Sequence, residues 1–587
     1  MVERKNSAQR GLMNRKLITN VTIRTMDPQI LEPRILDSQA LDSRQPDAQA
    51  MAWEGSAILG LGEKQALVRE FGPMEEIDGR GATVLPGFID PHIHFFDGAM
   101  FRDALDCSPA ATPDMPTMVD ALATQAARHP RDEWIFGQGY DPAALPGQMP
   151  PTRDDLDRAC PDRPAALFHY SMHECVVNSV ALKRLGIGPA TPQPHAGEIV
   201  RDHNGRPTGG LVEMAMGRVA TAVKHSMLIT QAAQIKKRLR SCQEDLFKAG
   251  ITAVGDPAVS RPTLNFYESA FADGTLSIPV TAFPCDDTNF FGLPEDRSGQ
   301  RPRPPKDPRL TIGPLKIFLD GADRASVRLS PAQAVKSGIG TAARAIESRS
   351  LAPFRLLLRS PGHPDGSGVR FGIKMVEDSR GTECVRKAVT SGHTLAFHAI
   401  GNAAVDQALT LMRKADKGHP ASPPPRVEHA LFLTPDLITR LVSQRMAVVT
   451  QPAFLDFLGS DNVPPLPGFM LMPLKTLMAS GICVASSSDW PVSSFSPLLA
   501  IQRAVTRIAN SGEAIQPNEA VSVAQALAMY TIHAARVLGK EAESGSLAPG
   551  KRADFVLLSD DPMAAEPDRI SKIRVNETYL AGEKVAG

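Results

Sequence analysis

The chain has 587 residues, 42% hydrophobic and 22% charged, with 64 basic and 64 acidic side chains and a formal net charge of zero. That balance excludes a protein held to nucleic acid or an anionic membrane by bulk charge, and the length accommodates a large domain plus a smaller one. Seven cysteines without a C-x-x-C pair exclude a disulfide framework and a thiolate zinc site, and fit a reducing cytoplasm.

Residues 1–15 are polar and read as a disordered tail, without the apolar core of a secretory signal. No apolar run is long enough to span a membrane. From 16 to 85 short strand-like runs such as K-L-I-T-N-V-T-I-R-T-M and A-I-L-G-L-G predict a small β domain, with 31–48 as an exposed loop inside it. The run V-L-P-G-F-I-D-P-H-I-H-F (84–95) ends in His92 and His94. Residues i and i+2 of a strand share a face, so two imidazoles there can grip one metal ion. The pattern is short, and its weight depends on further ligands at further strand ends.

Between 97 and 247 lies an excursion too long for a plain connection, and it reads as a lid-like subdomain. Within it, Tyr140, His173 and Asn178 are candidates for substrate contact, weighed against ordinary internal hydrogen bonding; His169, His195 and His203 read as surface or packing residues. Seven more apolar runs follow: 251–256, 278–285, 315–321 with Lys316, 394–401 with His398, 426–432 with His429, 446–452, and 482–491 with Asp489. The stretch 325–371 is rich in Arg, Ser and Gly and forms an unusual loop. The segment 521–539 has helical spacing and ends in glycine, with His533 as a packed helix residue. From 541 to 587 the β character returns, as in A-D-F-V-L-L.

Eight buried apolar runs separated by helix-sized segments predict a (β/α)8 TIM barrel over 86–540, since strands covered on both faces are continuously apolar. Active sites of such barrels lie at the C-terminal strand ends. His92, His94, His398, His429 and Asp489 fall at or near those ends, while Lys316 lies nearer the start of its run.

These motifs, together with H-E-C-V-V-N-S-V-A-L (173–182), A-G-I-T-A-V-G-D (249–256), F-H-A-I-G-N-A-A-V-D-Q-A-L (397–409), R-V-E-H-A, S-S-D-W-P-V and P-G-K-R-A-D-F-V-L-L (549–558), resemble the amidohydrolase superfamily of metal-dependent hydrolases. Within it the chain is similar to the amidohydrolase-3 branch, which includes N-substituted formamide deformylases. The resemblance runs from about residue 16 to the C-terminus, departing from the family after D-G at 320–321. It implies that both chain ends pair into a small β-sandwich beside the barrel. It also implies one or two divalent ions, zinc first among them. His92 and His94 would hold one ion, His398 and His429 a second, and a carboxylated Lys316 would bridge them; Asp489 would be both ligand and proton shuttle. A lysine paired with Asp320 is the plain alternative for Lys316, and Glu213 is a fallback carboxylate ligand. For Asp489 the plain alternative is a helix cap or turn former.

The expected reaction is hydrolysis of a non-peptide C–N bond in an amide, formamide or cyclic amide. A metal ion speeds it by acidifying water and polarising the carbonyl. Alternatives are a mononuclear deaminase or amidase using the same residues, an inactive barrel serving as a scaffold, and a phosphoester hydrolase. The expected partner is a small-molecule substrate, with no nucleic acid and no membrane; a homo-oligomer is left open.

Overall fold

The computed structural model describes residues 15–29, 47–128, 133–286, 296–322, 324–347, 362–366, 368–415, 422–458 and 466–587. Nearly all of the expected tail, most of the 31–48 loop and part of 325–371 lie outside them.

The centre of this mixed α/β fold is a series of parallel strands at the eight predicted runs. They are β1 (Phe88–Asp90), β2 (Ile251–Asp256), β3 (Val280–Ala282), β4 (Leu315–Phe318), β5 (Leu395–Ala399), β6 (Arg426–His429), β7 (Ala447–Thr450) and β8 (Val484–Ser486). All eight are buried along their whole length, as apolar strands covered on both faces must be. Neighbours follow chain order, in one sheet from β1 to β3 and another from β4 to β8. A short strand absent from the predicted set, Leu310–Ile312, extends the first sheet beyond β3.

Two further contacts tie these sheets together. A parallel bridge joins Cys285 to Lys316, with the Lys316 amide donating to the Pro284 carbonyl at 2.7 Å. Beyond β1 and β8, the Asp489 amide donates to the His92 carbonyl and the His94 amide to the Trp490 carbonyl, both at 2.9 Å. The segments that follow the first and last strands therefore meet.

The run 84–95 is not one strand. Thr83–Pro86 pairs antiparallel with Phe555–Leu558, whereas Phe88–Asp90 pairs parallel with β2. Gly87 makes the crossing between sheets, where a Cβ would stand 2.3 Å from Thr252 Oγ1. Two small sheets are built from both chain ends. One contains Arg15–Thr19, Ala50–Glu54, Ala57–Gly62 and Glu75–Asp78; the other contains Thr22–Ile23, Thr83–Pro86, Phe555–Leu558, Val575–Leu580 and Glu583–Ala586. Ile18, Met51 and Trp53 of the first share one apolar cluster with Val84, Phe555 and Tyr579 of the second.

The excursion after β1 contains a six-stranded mixed sheet and the long helices Met214–Thr230 and Ala232–Lys248. After β4, Val327–Leu329, His363–Asp365 and Gly368–Phe371 form an antiparallel sheet beside helix Pro331–Glu347. The helix expected over 521–539 is two helices, Val523–Met529 and Ile532–Val537, because Thr531 between them leaves helical geometry (φ −125°, ψ −100°). Among the described residues, no helix is long and apolar enough to cross a membrane.

Candidate metal centre

His92 and His94 are brought together differently from the strand argument. Both lie past the end of β1, and His94 is the N-terminal boundary of helix Phe95–Phe101. Each presents its Nε2 at 3.3 Å from Asp489 Oδ1. Ligand atoms of these three buried residues all lie within 4.8 Å of one another. Asp489 follows β8 and has a left-handed backbone, φ 54°, as has His429 at the end of β6, φ 73°. Side-chain-bearing residues rarely adopt this conformation, which tertiary contacts must hold in place.

The other two ligand candidates stand beside this group. Ring centroids run from His94 to His92 at 5.6 Å, from His92 to His429 at 5.2 Å and from His429 to His398 at 4.6 Å. His429 Nε2 faces His398 Nδ1 at 3.1 Å.

Around the imidazoles stand hydrogen-bond partners that the motif reading did not include. Glu428 Oε2 is 2.6 Å from His92 Nδ1, and Arg426 Nε donates to the other Glu428 oxygen at 2.6 Å. Gln451 Oε1 is 2.9 Å from His429 Nδ1. Acceptors at both Nδ1 atoms put the protons there and leave the Nε2 lone pairs facing the centre, as metal ligands require. A signal was available: Arg426 and Glu428 are opposite charges at i and i+2, on one face of the strand that ends in His429.

Electrostatics agree with a cation-binding role. Burial above all drives the His398 pKa well below the ordinary imidazole value and His429 down to about 3, keeping both neutral. Burial alone would raise the Asp489 carboxyl, but His92, His94 and His429 hold it well below the usual range. For Glu428 burial is likewise outweighed, here by Arg426, His92 and Lys316, which lower it.

Lys316 is wholly buried, and its Nζ has no hydrogen-bond partner among the described residues. Asp320, its alternative partner, is occupied: the Ser326, Ile400 and Gly401 amides donate to it at 2.9–3.0 Å. Burial pushes the Lys316 pKa down to about 8, so a neutral amine is accessible near neutral pH. The His398 Nε2 also lacks a hydrogen bond among the described residues. Buried groups of this kind ordinarily find partners. The donor set, with its unpartnered amine and imidazole nitrogen, fits a divalent cation.

The lid candidates separate. Asn178 caps helix Ser179–Arg184: its Oδ1 accepts from the Ala165 and Ala181 amides, and its Nδ2 donates to the Cys160 and Arg163 carbonyls. An asparagine side chain has two donors and two acceptor sites, all used here, so the expected substrate contact at Asn178 is corrected to a structural one. Tyr140 lies in an apolar cluster of the insertion with Leu156 and Leu167. Aromatic rings connect it to the centre through His169, Tyr170, Phe457 and Phe454 to His429, with centroid separations of 4.2–6.2 Å. His173 stands beside His398, ring centroids 5.4 Å apart, and contacts Glu213 rather than leaving that carboxylate as a ligand beside the other donors. His533 packs on β8, its Nδ1 2.9 Å from the Val484 carbonyl.

The chain is 28% identical to the N-substituted formamide deformylase of Arthrobacter pascens, covering 91% of this chain and 94% of that protein. It is 29% identical to YtcJ of Bacillus subtilis (strain 168), covering 92% and 96%. An uncharacterised metal-dependent hydrolase from Pyrococcus horikoshii OT3 shares the fold with a TM-score of 0.67 at 22% identity, over 94% of this chain and 99% of that one. The model of the Amidohydrolase family matches residues 75–586, and the chain belongs to that family of hydrolytic enzymes acting on carbon–nitrogen bonds.

Proposed function

We propose that the chain hydrolyses a non-peptide amide, with N-substituted formamides the first substrates to try, at a metal centre held by His92, His94, His398, His429, Lys316 and Asp489. The observation that carries this reading is the convergence of His92 Nε2 and His94 Nε2 on Asp489 Oδ1 at 3.3 Å each. The architecture proposed with it is a closed (β/α)8 barrel over 86–540 with 97–247 as its lid, and a β-sandwich from 16–85 and 541–587. The shared apolar cluster of the two small sheets and the contacts between 488–490 and 90–94 support it.

A divalent ion bound here, zinc first among candidates, supplies Lewis acidity toward the carbonyl and toward water. Everything else falls to the chain. His398 and His429, kept neutral by burial, and His92, oriented by Glu428, would hold the ion with His94, and Gln451 orients His429. Asp489, ionised at neutral pH, accepts the proton of the attacking water and returns it to the departing amine. Lys316, whose amine is neutral in part near neutral pH, would help to hold the metal if its nitrogen added to carbon dioxide with loss of one proton to give an anionic carbamate. One specific observation favours a single ion over two: only His92, His94 and Asp489 meet as one compact three-residue group among the described residues. Seven free cysteines fit a cytoplasmic location.

The test is metal analysis of purified protein followed by a screen of N-formyl amines, other N-acyl amines and cyclic amides. One or two equivalents of metal and turnover of one such class are expected, with loss of both in the His92→Ala/His94→Ala variant. Full metal content in that variant, or no turnover of any amide by the loaded protein, would overturn the proposal.

A further inference from the structure

The stretch after β4 departs from the family pattern, and its helix, Pro331–Glu347, is built inside out. At about 100° per residue, Val335, Ile339 and Ile346 fall within about 40° of one another around the helix axis. They are 63%, 66% and 79% exposed. Ser337 and Thr341 lie on the opposite side, and they are the buried residues of this helix, at 2% and 0%. Packing ordinarily turns the apolar stripe of a helix inward and its polar face outward. Here two hydroxyl side chains face the protein and three branched apolar ones face away. Ser337 Oγ even lacks a hydrogen-bond partner among the described residues.

Scattered exposed apolar residues are ordinary surface, but a contiguous stripe marks an association site. Three of the eight large apolar side chains exposed among the described residues are on this one helix.

The margins of the stripe select its occupant. Lys336 and Glu347 are exposed on the same flank, about three turns apart, and neither has an ion-pair partner among the described residues. The other flank is Gly338, Ala342 and Ala345, small enough for a second helix to approach closely. A two-fold axis perpendicular to the helix, near residue 341, sets two copies antiparallel and brings like flanks together. Each Lys336 then meets the Glu347 of the other copy. Val335 meets Ile346, and Ile339 meets the small Ala342 and Ala343. An isologous contact needs this kind of self-complementarity.

We propose that this helix face docks on the same face of a second copy of the chain, as an antiparallel, two-fold symmetric helix pair. A helix of 17 residues is about 25 Å long. A contact of that length lies at the low end of interface areas, below about 1,200 Å², so the dimer is reversible, with a Kd in about the micromolar range. Its exposed charge pairs fix orientation and register more than they add affinity.

The experiment is sedimentation velocity on the full chain from about 1 to 100 µM, at low and high salt. A monomer–dimer equilibrium is expected. Ile339→Asp changes an exposed position, so the variant should fold, as circular dichroism checks. It should weaken the dimer at least about tenfold by burying unpaired carboxylates beside the axis. Lys336→Glu and Glu347→Lys should each weaken it about three- to tenfold at low salt. The double variant Lys336→Glu/Glu347→Lys should restore it, because the pair is only exchanged across the axis. A dimer that folded Ile339→Asp does not weaken, or charge reversals that fail to weaken and then restore it, would overturn the proposal. A parent that stays monomeric at about 100 µM would overturn it as well. The stripe would then be covered by the chain itself if Ile339→Asp lowers Tm, or by lipid if the parent sediments with phosphatidylglycerol vesicles.

Discussion

Glu428→Gln isolates the role of a residue that touches no substrate. In the parent, Glu428 Oε2 lies 2.6 Å from His92 Nδ1 and its other oxygen accepts from Arg426 at 2.6 Å, with all three side chains almost fully buried. Arg426 has no acceptor function, so the glutamine carbonyl must face it, and the amide NH2 then faces His92 Nδ1. That nitrogen becomes the acceptor and the ring proton moves to Nε2, the atom directed at Asp489. His92 then has to be re-tautomerised before it can bind a cation. Loss of such a partner typically costs about 10- to 100-fold in metal affinity, equivalent to roughly 1.4–2.7 kcal/mol. Arg426 keeps hydrogen bonds to the Pro91 carbonyl at 2.9 Å and the Val537 carbonyl at 3.3 Å, so the fold should survive. Glu428→Ala would instead strand a buried guanidinium, a loss of about 3–5 kcal/mol. The assay is competition for zinc against a chromophoric chelator, with thermal unfolding of metal-free protein as the control. An affinity within twofold of the parent in folded Glu428→Gln would refute the tautomer argument.

Asp489→Asn should retain metal while turnover falls about 10²- to 10⁴-fold, measured by metal content and kcat; near-normal kcat would make Asp489 a structural residue. Lys316→Ala should lose activity and regain part of it with added short carboxylic acids, and a parent carbamate should appear by ¹³C NMR in labelled bicarbonate; a bare amine in metal-loaded, bicarbonate-treated protein would exclude the bridge. In metal-free protein the ¹³C-histidine resonance of His429 should not titrate between pH 7.5 and 4.5, because burial holds its pKa down to about 3. Its unfolded-state pKa is about 6.5, so protons favour the unfolded chain below that value and the contribution of His429 to stability is lost as pH falls. A midpoint near 6.5 would contradict this.

Much of the molecule was legible because its signals are local. An apolar run of four to eight residues is buried on both faces whatever its neighbours, so β1 to β8 lie where runs of that kind were read. The ligand candidates could be listed because histidine, aspartate and lysine in such surroundings are chemically unusual. Boundaries were less legible: the run 84–95 looked like one strand because apolar character does not report which sheet a residue joins, and Gly87 divides it.

The sequence by itself determined the eight central strands, the candidate donor residues and the family to which the chain belongs. Only the tertiary structure decided how those donors meet. Burial by chain segments hundreds of residues away lowers the pKa of Lys316 to about 8 and of His429 to about 3, and no local pattern encodes that environment. The pairings of Glu428 with His92 and of Glu213 with His173 span 336 and 40 residues of chain. Asn178 is the converse case: its sequence gives it the same polar amide as a ligand-binding asparagine, and only its four backbone partners, supplied by the fold, remove it from the site. Hydrogen bonds and desolvation depend on three-dimensional neighbours, whereas side-chain chemistry and burial periodicity travel with the chain itself.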